Sequence, residues 1–156
     1  MKILVISDVH GRISLAERML ERENPDEVFF LGDGLREMSE SAKFFPKIRF
    51  HMVAGNCDFM AGEEQCVIKI AGKNIFYTHG HRYNVKMERE MNYITLRSAA
   101  MDCGADIVLF GHTHQPDLFF MNGMCIMNPG AAAAGKYGII EINGNEIKPE
   151  LRTLYD

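Results

Sequence analysis

The order of apolar runs in this 156-residue chain predicts an α/β fold in which mixed sheets are covered by helices. Three observations carry that expectation. Strand-like and helix-like segments alternate through the first third of the chain, the pattern of parallel strands joined by crossover helices. Later segments are short, paired and separated by Asn-Gly turns, the pattern of antiparallel hairpins. The length matches about 150 residues per domain, so one domain over 1–156 is expected, with enough chain to bury a core unaided.

Taken in order, Lys2 to Ser7 is a continuous apolar run that suits a strand buried on both faces. A helix follows, with Ser14 and Glu17 spaced as a capping box and Leu15, Ala16, Met19 and Leu20 on one face. Asn24-Pro25 should stop it. Glu27 to Leu31 reads as a second buried strand, Arg36 to Phe45 as a short helix ended by Pro46, and Arg49 to Val53 as a third strand. Glu64 to Ile70 and Asn74 to Thr78 form a strand pair turning at Gly72-Lys73. Val85 to Cys103 is the longest helical stretch, with Met87, Met91 and Met101 expected to fill core. Asp106 to Phe110 is another apolar strand, and short strands follow near 117–121, 124–128, 137–142 and 146–152, with turns at Asn122-Gly123 and Asn143-Gly144.

Composition narrows the function. Seventeen Lys and Arg against twenty-one Asp and Glu leave a net charge of −4, so an extended basic nucleic-acid surface is not expected. No apolar run nears the ~20 residues of a membrane span, and the first strand starts too early to leave room for a signal peptide. The four cysteines, Cys57, Cys66, Cys103 and Cys125, form no C-x-x-C pair. They are expected to be free, mostly buried thiols in a reducing cytoplasm.

The informative feature is where polar residues fall. Five apolar runs end in Asp8-Val9-His10, Gly32-Asp33-Gly34, Gly55-Asn56-Cys57-Asp58, His79-Gly80-His81 and Gly111-His112-Thr113-His114. The C-terminal edge of an open α/β sheet is where sites assemble, and the adjoining glycines permit tight turns. Five of the six histidines lie in these segments; His51 sits inside a strand and reads as structural. Residues two apart in extended chain point the same way, so Asp8 and His10 can grip one cation. The candidate ligands are Asp8, His10, Asp33, Asn56, His79, His112 and His114. Seven are too many for one ion with an open position, and suit two ions about 3.5–4 Å apart with a bridging carboxylate. Asp33 is the bridge candidate, on a strand expected to lie centrally. Nitrogen and oxygen donors without thiolate fit Mn²⁺, Zn²⁺, Fe²⁺ or Ni²⁺ and disfavour Ca²⁺.

In this order the blocks D-V-H, G-D-G, G-N-C-D, T-H-G-H and G-H-T-H, followed by N-P-G at Asn128–Gly130, resemble the calcineurin-like metallophosphoesterase superfamily, in particular its small YfcE-type phosphodiesterase branch. The resemblance spans Met1 to about Gly138. It implies a four-layer α/β/β/α sandwich, one metal on Asp8, His10 and His114, a second on Asn56, His79 and His112, and Asp33 between them. Larger relatives carry a His after the Asn, where this chain has Cys57. That removes a leaving-group acid or phosphate contact that His81 could supply in part, unless His81 orients His79 instead. Asp58 is expected to fix a neighbouring His or the turn. Cys57 and Asn128 are the substrate-side candidates, and the hydroxyl that often follows N-P-G is replaced by Ala131.

The implied reaction is hydrolysis of a small phosphodiester by a metal-bridging hydroxide, with manganese the leading cofactor. Two divalent ions, two carboxylates and that hydroxide leave a net charge of about +1, matched to a diester monoanion. No P-loop, dinucleotide fingerprint, cysteine-phosphatase loop or G-x-S-x-G is present. The alternatives are a phosphomonoesterase on the same site, or a protein-binding scaffold of the retromer-subunit type. A monoester dianion would want an added cation, and Arg12, Arg36 and Arg82 lie near the blocks. Small relatives form dimers or tetramers, so a homodimer or homotetramer is allowed.

Overall fold

A computed structural model describes residues 1–59 and 61–155. Among the described residues, ten strands form two five-stranded sheets. The first sheet contains β1 (Lys2–Ile6), β2 (Glu27–Phe30), β3 (Arg49–Met52), β9 (Lys136–Asn143) and β10 (Glu146–Thr153) in the order β10-β9-β1-β2-β3. The second contains β4 (Gln65–Ile70), β5 (Lys73–Thr78), β6 (Ile107–Leu109), β7 (Asp117–Met121) and β8 (Met124–Asn128) in the order β4-β5-β6-β8-β7. As alternation predicts, β1, β2 and β3 are parallel neighbours, and so are β5, β6 and β8. The two hairpins, β7–β8 and β9–β10, close the chain's second half.

Three apolar layers hold this together. Ile3, Val5, Phe29 and Leu31 of the first sheet meet Ile75, Tyr77, Ile107, Leu109 and Met127 of the second. On the outer face of the first sheet, Leu4, Ile6, Val28 and Phe30 pack on α1 (Ile13–Glu23) and α2 (Leu35–Ala42). On the outer face of the second, Phe76, Val108 and Ile126 pack on α3 (Ile94–Asp102) through Leu96 and Ala100. The result is the α/β/β/α sandwich that the sequence resemblance implies. Strands buried on both faces explain the continuous apolar runs. No helix among the described residues is long and apolar enough to cross a membrane.

Several sequence expectations are corrected. Ser14 and Glu17 form no capping box, because α1 starts two residues earlier, at Ile13 with Arg12 in the cap position, and Glu17 instead accepts the Ser41 hydroxyl at 2.8 Å. The β4–β5 turn is Ala71-Gly72, both at positive φ, and the β9–β10 turn is Gly144-Asn145. The stretch 85–103 is not one helix. Its first part is turns and a short 3-10 segment at Arg89–Met91, after which Asn92 and Tyr93 adopt left-handed φ of 52° and 56° and the Tyr93 ring is buried against Phe110. The helix α3 starts after them, with the Glu88 carboxylate accepting from Thr95 N at 2.8 Å. Met87, Met91 and Met101 consequently face solvent and fill no core. Only Cys125 is a buried thiol; Cys57 and Cys103 are exposed and Cys66 is intermediate. β1, not β2, is central in its sheet. His51 is structural as expected, 2.6 Å from Glu27 and stacked on Phe29.

Candidate metal centre

The parallel neighbours β1, β2 and β3 end at the same edge as β5 and β6, so the five polar blocks converge where the sheets meet. Asp8 and His79 are fully buried and Asp33 nearly so. Asp8, His10, Asp33, His112 and His114 all have φ between 43° and 69°. A non-glycine residue there is strained, and such strain gathers at functional sites. The strained turns let side chains of both blocks fold over the strand ends.

Each buried carboxylate has one oxygen held and one presented. Asp8 Oδ2 accepts from Ser7 Oγ at 2.6 Å and from His112 N at 3.1 Å. Its Oδ1 faces His114 Nε2 at 3.0 Å and His10 Nε2 at 3.4 Å. Asp33 Oδ1 accepts from Cys57 N at 2.9 Å, while Oδ2 faces His79 Nε2 at 3.3 Å and His10 Nε2 at 3.6 Å. The two groups of donors meet at that Asp33 oxygen. On one side are Asp8, His10 and His114, with the two ring nitrogens 3.1 Å apart. On the other are His79, Asn56 Oδ1 at 2.9 Å from His79 Nε2, and His112 Nδ1 at 3.2 Å from it. All seven candidate ligands are thus brought together, and Asp33 stands between the halves despite its off-centre strand.

The donor set fits divalent cations. Two ligand atoms bound at about 2.1 Å to an octahedral or tetrahedral ion lie about 3.0–3.4 Å apart, close to the separations here. Among the described residues, neither Asp8 nor Asp33 has a Lys or Arg within ion-pair distance; only imidazoles face them. Buried carboxylates without such partners are costly unless a cation joins them. Asp8, Asp33 and His79 alone form one compact group of potential ligands, and Asp8, His10 and His114 another.

The electrostatics agree. Burial would raise the Asp33 carboxyl, but the His79 hydrogen bond and charge, the Cys57 N–H and His10 hold it well below the usual carboxylate range. Burial would lower His79, but Asp33 and Asp8 raise it, so its proton occupies a place made for positive charge. Burial and the His79 charge push His112 down to about 4, leaving its lone pair free at neutral pH. His79 Nδ1 donates to Leu31 O at 2.7 Å, which aims Nε2 at the carboxylates.

The remaining candidates divide. His81 does not hydrogen-bond His79; its ring lies 5.5 Å away, its Nδ1 is buried without a partner, and Nε2 is 3.8 Å from Glu64. Burial and the His79 charge lower its pKa. Cys57 lines the cleft beside His10 and Asp33, its thiol pushed up by desolvation and Asp33. Asn128 is fully buried: it donates to Gly111 O at 3.0 Å and Thr113 Oγ1 at 2.9 Å, and accepts from Gly130 N, so it braces the His112–His114 loop from behind. Asp58 accepts four backbone N–H groups, from Asp33, Gly34, Leu35 and Gly55, at 2.7–2.9 Å. It ties the Asp33 and Asn56 loops together and caps α2. Ser7 and Leu31 were not singled out by sequence. Ser7 does stand beside Asp8, but Leu31 acts through a carbonyl that every residue carries.

Comparison with known proteins places this geometry. Residues 1–143 match the calcineurin-like phosphoesterase superfamily domain. The probable metallophosphoesterase YsnB of Bacillus subtilis is 29% identical over 136 residues, covering 84% of this chain and 75% of that protein. The phosphodiesterase YfcE of Escherichia coli K12 is 23% identical over 172 aligned positions, covering 90% of this chain and 88% of its own. The structure of wild-type Vps29 complexed with zinc from Entamoeba histolytica superimposes with a TM-score of 0.75 at 27% identity, covering all of this chain and 94% of that one.

Proposed function

Because the chain belongs to the calcineurin-like phosphoesterase superfamily, we propose that it is a phosphodiesterase that works with two divalent cations, manganese being the first to test. The observation that supports this best is the Asp33 carboxylate. It is nearly buried, free of Lys and Arg, and faces nitrogen donors of two separate ligand groups through one oxygen. Asp8, His10 and His114 would hold one cation, Asn56, His79 and His112 the other, and Asp33 both. When bound, the cations would supply Lewis acidity to the phosphoryl group and lower the pKa of water.

The chain's own residues set the geometry. Ser7, Cys57 N and Leu31 O orient Asp8, Asp33 and His79, so those ligands need little reorganisation during reaction. Asp58 keeps the Asp33 and Asn56 loops in register. His10 and His114 are partly exposed and border the side from which substrate enters. Cys57 is a neutral thiol at the cleft wall and brings no charge to the phosphate, which favours a diester monoanion over a monoester dianion. His81, whose buried Nδ1 has no hydrogen-bond partner among the described residues, is kept neutral by burial and the His79 charge, so the leaving oxygen takes its proton from water. No side chain is placed as a nucleophile: water adds to phosphorus, the ester P–O bond breaks, and the alcohol oxygen leaves with a proton.

Metal-depleted protein should not cleave bis-p-nitrophenyl phosphate, and Mn²⁺ should restore turnover. Cleavage indifferent to chelation would refute the reading. The likeness to Vps29 supports a second reading, a non-catalytic scaffold. A metal-loaded protein that turns over no diester yet retains a protein partner would establish it instead.

A further inference from the structure

A cleft of about 490 Å³ opens beside the metal centre, with His10 and Asp33 at its floor. Arg36, Glu37, Cys57 and Phe59 line the same cleft. Of the three arginines near the polar blocks, Arg12 donates to Ala133 O and Arg82 is paired with Glu64. Arg36 is exposed, and among the described residues it has no hydrogen-bond or ion-pair partner. Phe59 presents its whole ring to solvent at the mouth of the same cleft. An unpaired guanidinium and a bare aromatic face on one wall, with the carboxylate of Glu37 beside them, make a composite surface. Such a ring can stack on a flat heterocycle, such a guanidinium can pair with a second anion, and the Glu37 carboxylate can accept from hydroxyl or amino groups.

We infer that this wall binds the leaving arm of the substrate and selects a diester whose leaving group is a 5′-phosphorylated nucleoside, with the base on Phe59 and the terminal phosphate at Arg36. The inference rests on the phosphodiesterase reading and names its substrate class. In the reaction, the water oxygen bonds to phosphorus, the P–O3′ bond breaks, and O3′ leaves as a hydroxyl after taking a proton. The products are two nucleoside monophosphates when the substrate is a 5′-phosphorylated dinucleotide. Arg36 is a specificity residue and takes no part in bond cleavage.

The test compares 5′-phosphorylated diadenylate (pApA) with unphosphorylated ApA on the manganese-loaded full chain, with bis-p-nitrophenyl phosphate as the reference diester. The expected kcat/KM ratio of pApA to ApA is at least about tenfold, the discrimination one charge-assisted contact supplies, and carried mainly by KM. Arg36→Ala should bring that ratio to about one, and Arg36→Lys should restore part of it. Phe59→Ala should raise KM for both dinucleotides and leave their ratio intact. A wild-type ratio near one, a ratio unaffected by Arg36→Ala, or unchanged KM in Phe59→Ala overturns the assignment. If the reference diester is cleaved and the ratio is one, only the cleft assignment fails. If the reference diester is not cleaved, the phosphodiesterase reading fails and takes this inference with it.

Discussion

Asp33 and Cys57 are neighbours in space with different tasks, and their substitutions should separate sharply. Asp33→Asn removes the negative charge shared by both ligand groups and should lower kcat/KM at least about 100-fold. Cys57→Ala removes a neutral thiol at the wall and should cost less than about tenfold. Steady-state kinetics on bis-p-nitrophenyl phosphate decide this, and equal losses contradict the bridging role. The supporting residues should act on affinity. Ser7→Ala leaves Asp8 Oδ2 without its 2.6 Å donor and should weaken metal binding about 10- to 100-fold, as measured by calorimetric titration.

At the scale of elements, two glycines decide whether the strand ends can meet. A Cβ on Gly55 would sit 2.1 Å from Asp33 Oδ1, and one on Gly111 would sit 2.0 Å from Ser7 Oγ. Gly55→Ala and Gly111→Ala should therefore displace the two carboxylates and abolish most diesterase activity. Gly72→Ala, in a turn with open space around it, should cost about 1 kcal/mol of stability and leave kcat unchanged. Thermal melts and kinetics on the three variants check this, and an active Gly55→Ala enzyme contradicts the packing. The strands and the convergence of the polar blocks were legible because runs such as Ile3–Ile6 and Ile107–Phe110 are buried on both faces. The break at Asn92-Tyr93 was not. The apolar spacing continues through it, and the helix starts only at Ile94, after the left-handed pair that sends the Tyr93 ring into a distant pocket. Asp58 was legible only as a residue fixing a neighbouring His or the turn, since three of its four amide partners, Asp33, Gly34 and Leu35, come from a distant segment that the fold brings to it. The strain at Asp8, His10, Asp33, His112 and His114 left no mark in composition, because Asp and His are tolerated at left-handed φ without glycine's signature.

For the whole molecule, the proposed metal site is one for which protons and metal would compete. His79 is raised in the metal-free protein, so its favourable interaction with Asp8 and Asp33 is fully present below its ordinary value near 6.5. That stabilisation is lost as pH rises through the higher folded value. Asp33 is lowered, so its contribution persists above the ordinary carboxylate range and is lost only in acid. Metal-free protein should therefore lose thermal stability as pH rises above the ordinary His value of about 6.5. The stabilisation by Mn²⁺ should be larger at pH 8.5 than at pH 6, because at pH 6 the ion must displace a proton. Calorimetric melts with and without metal at the two pH values check this, and a gain independent of pH contradicts it. The sandwich draws three strand ends from one sheet and two from the other, which is why seven candidate ligands can meet without a local sequence motif joining them. The most direct test is a Mn²⁺ titration of metal-depleted protein followed by calorimetry and elemental analysis. The expected result is two ions per chain in the wild type and fewer than two in Asp33→Asn. A wild-type stoichiometry of one or none contradicts the paired-cation site.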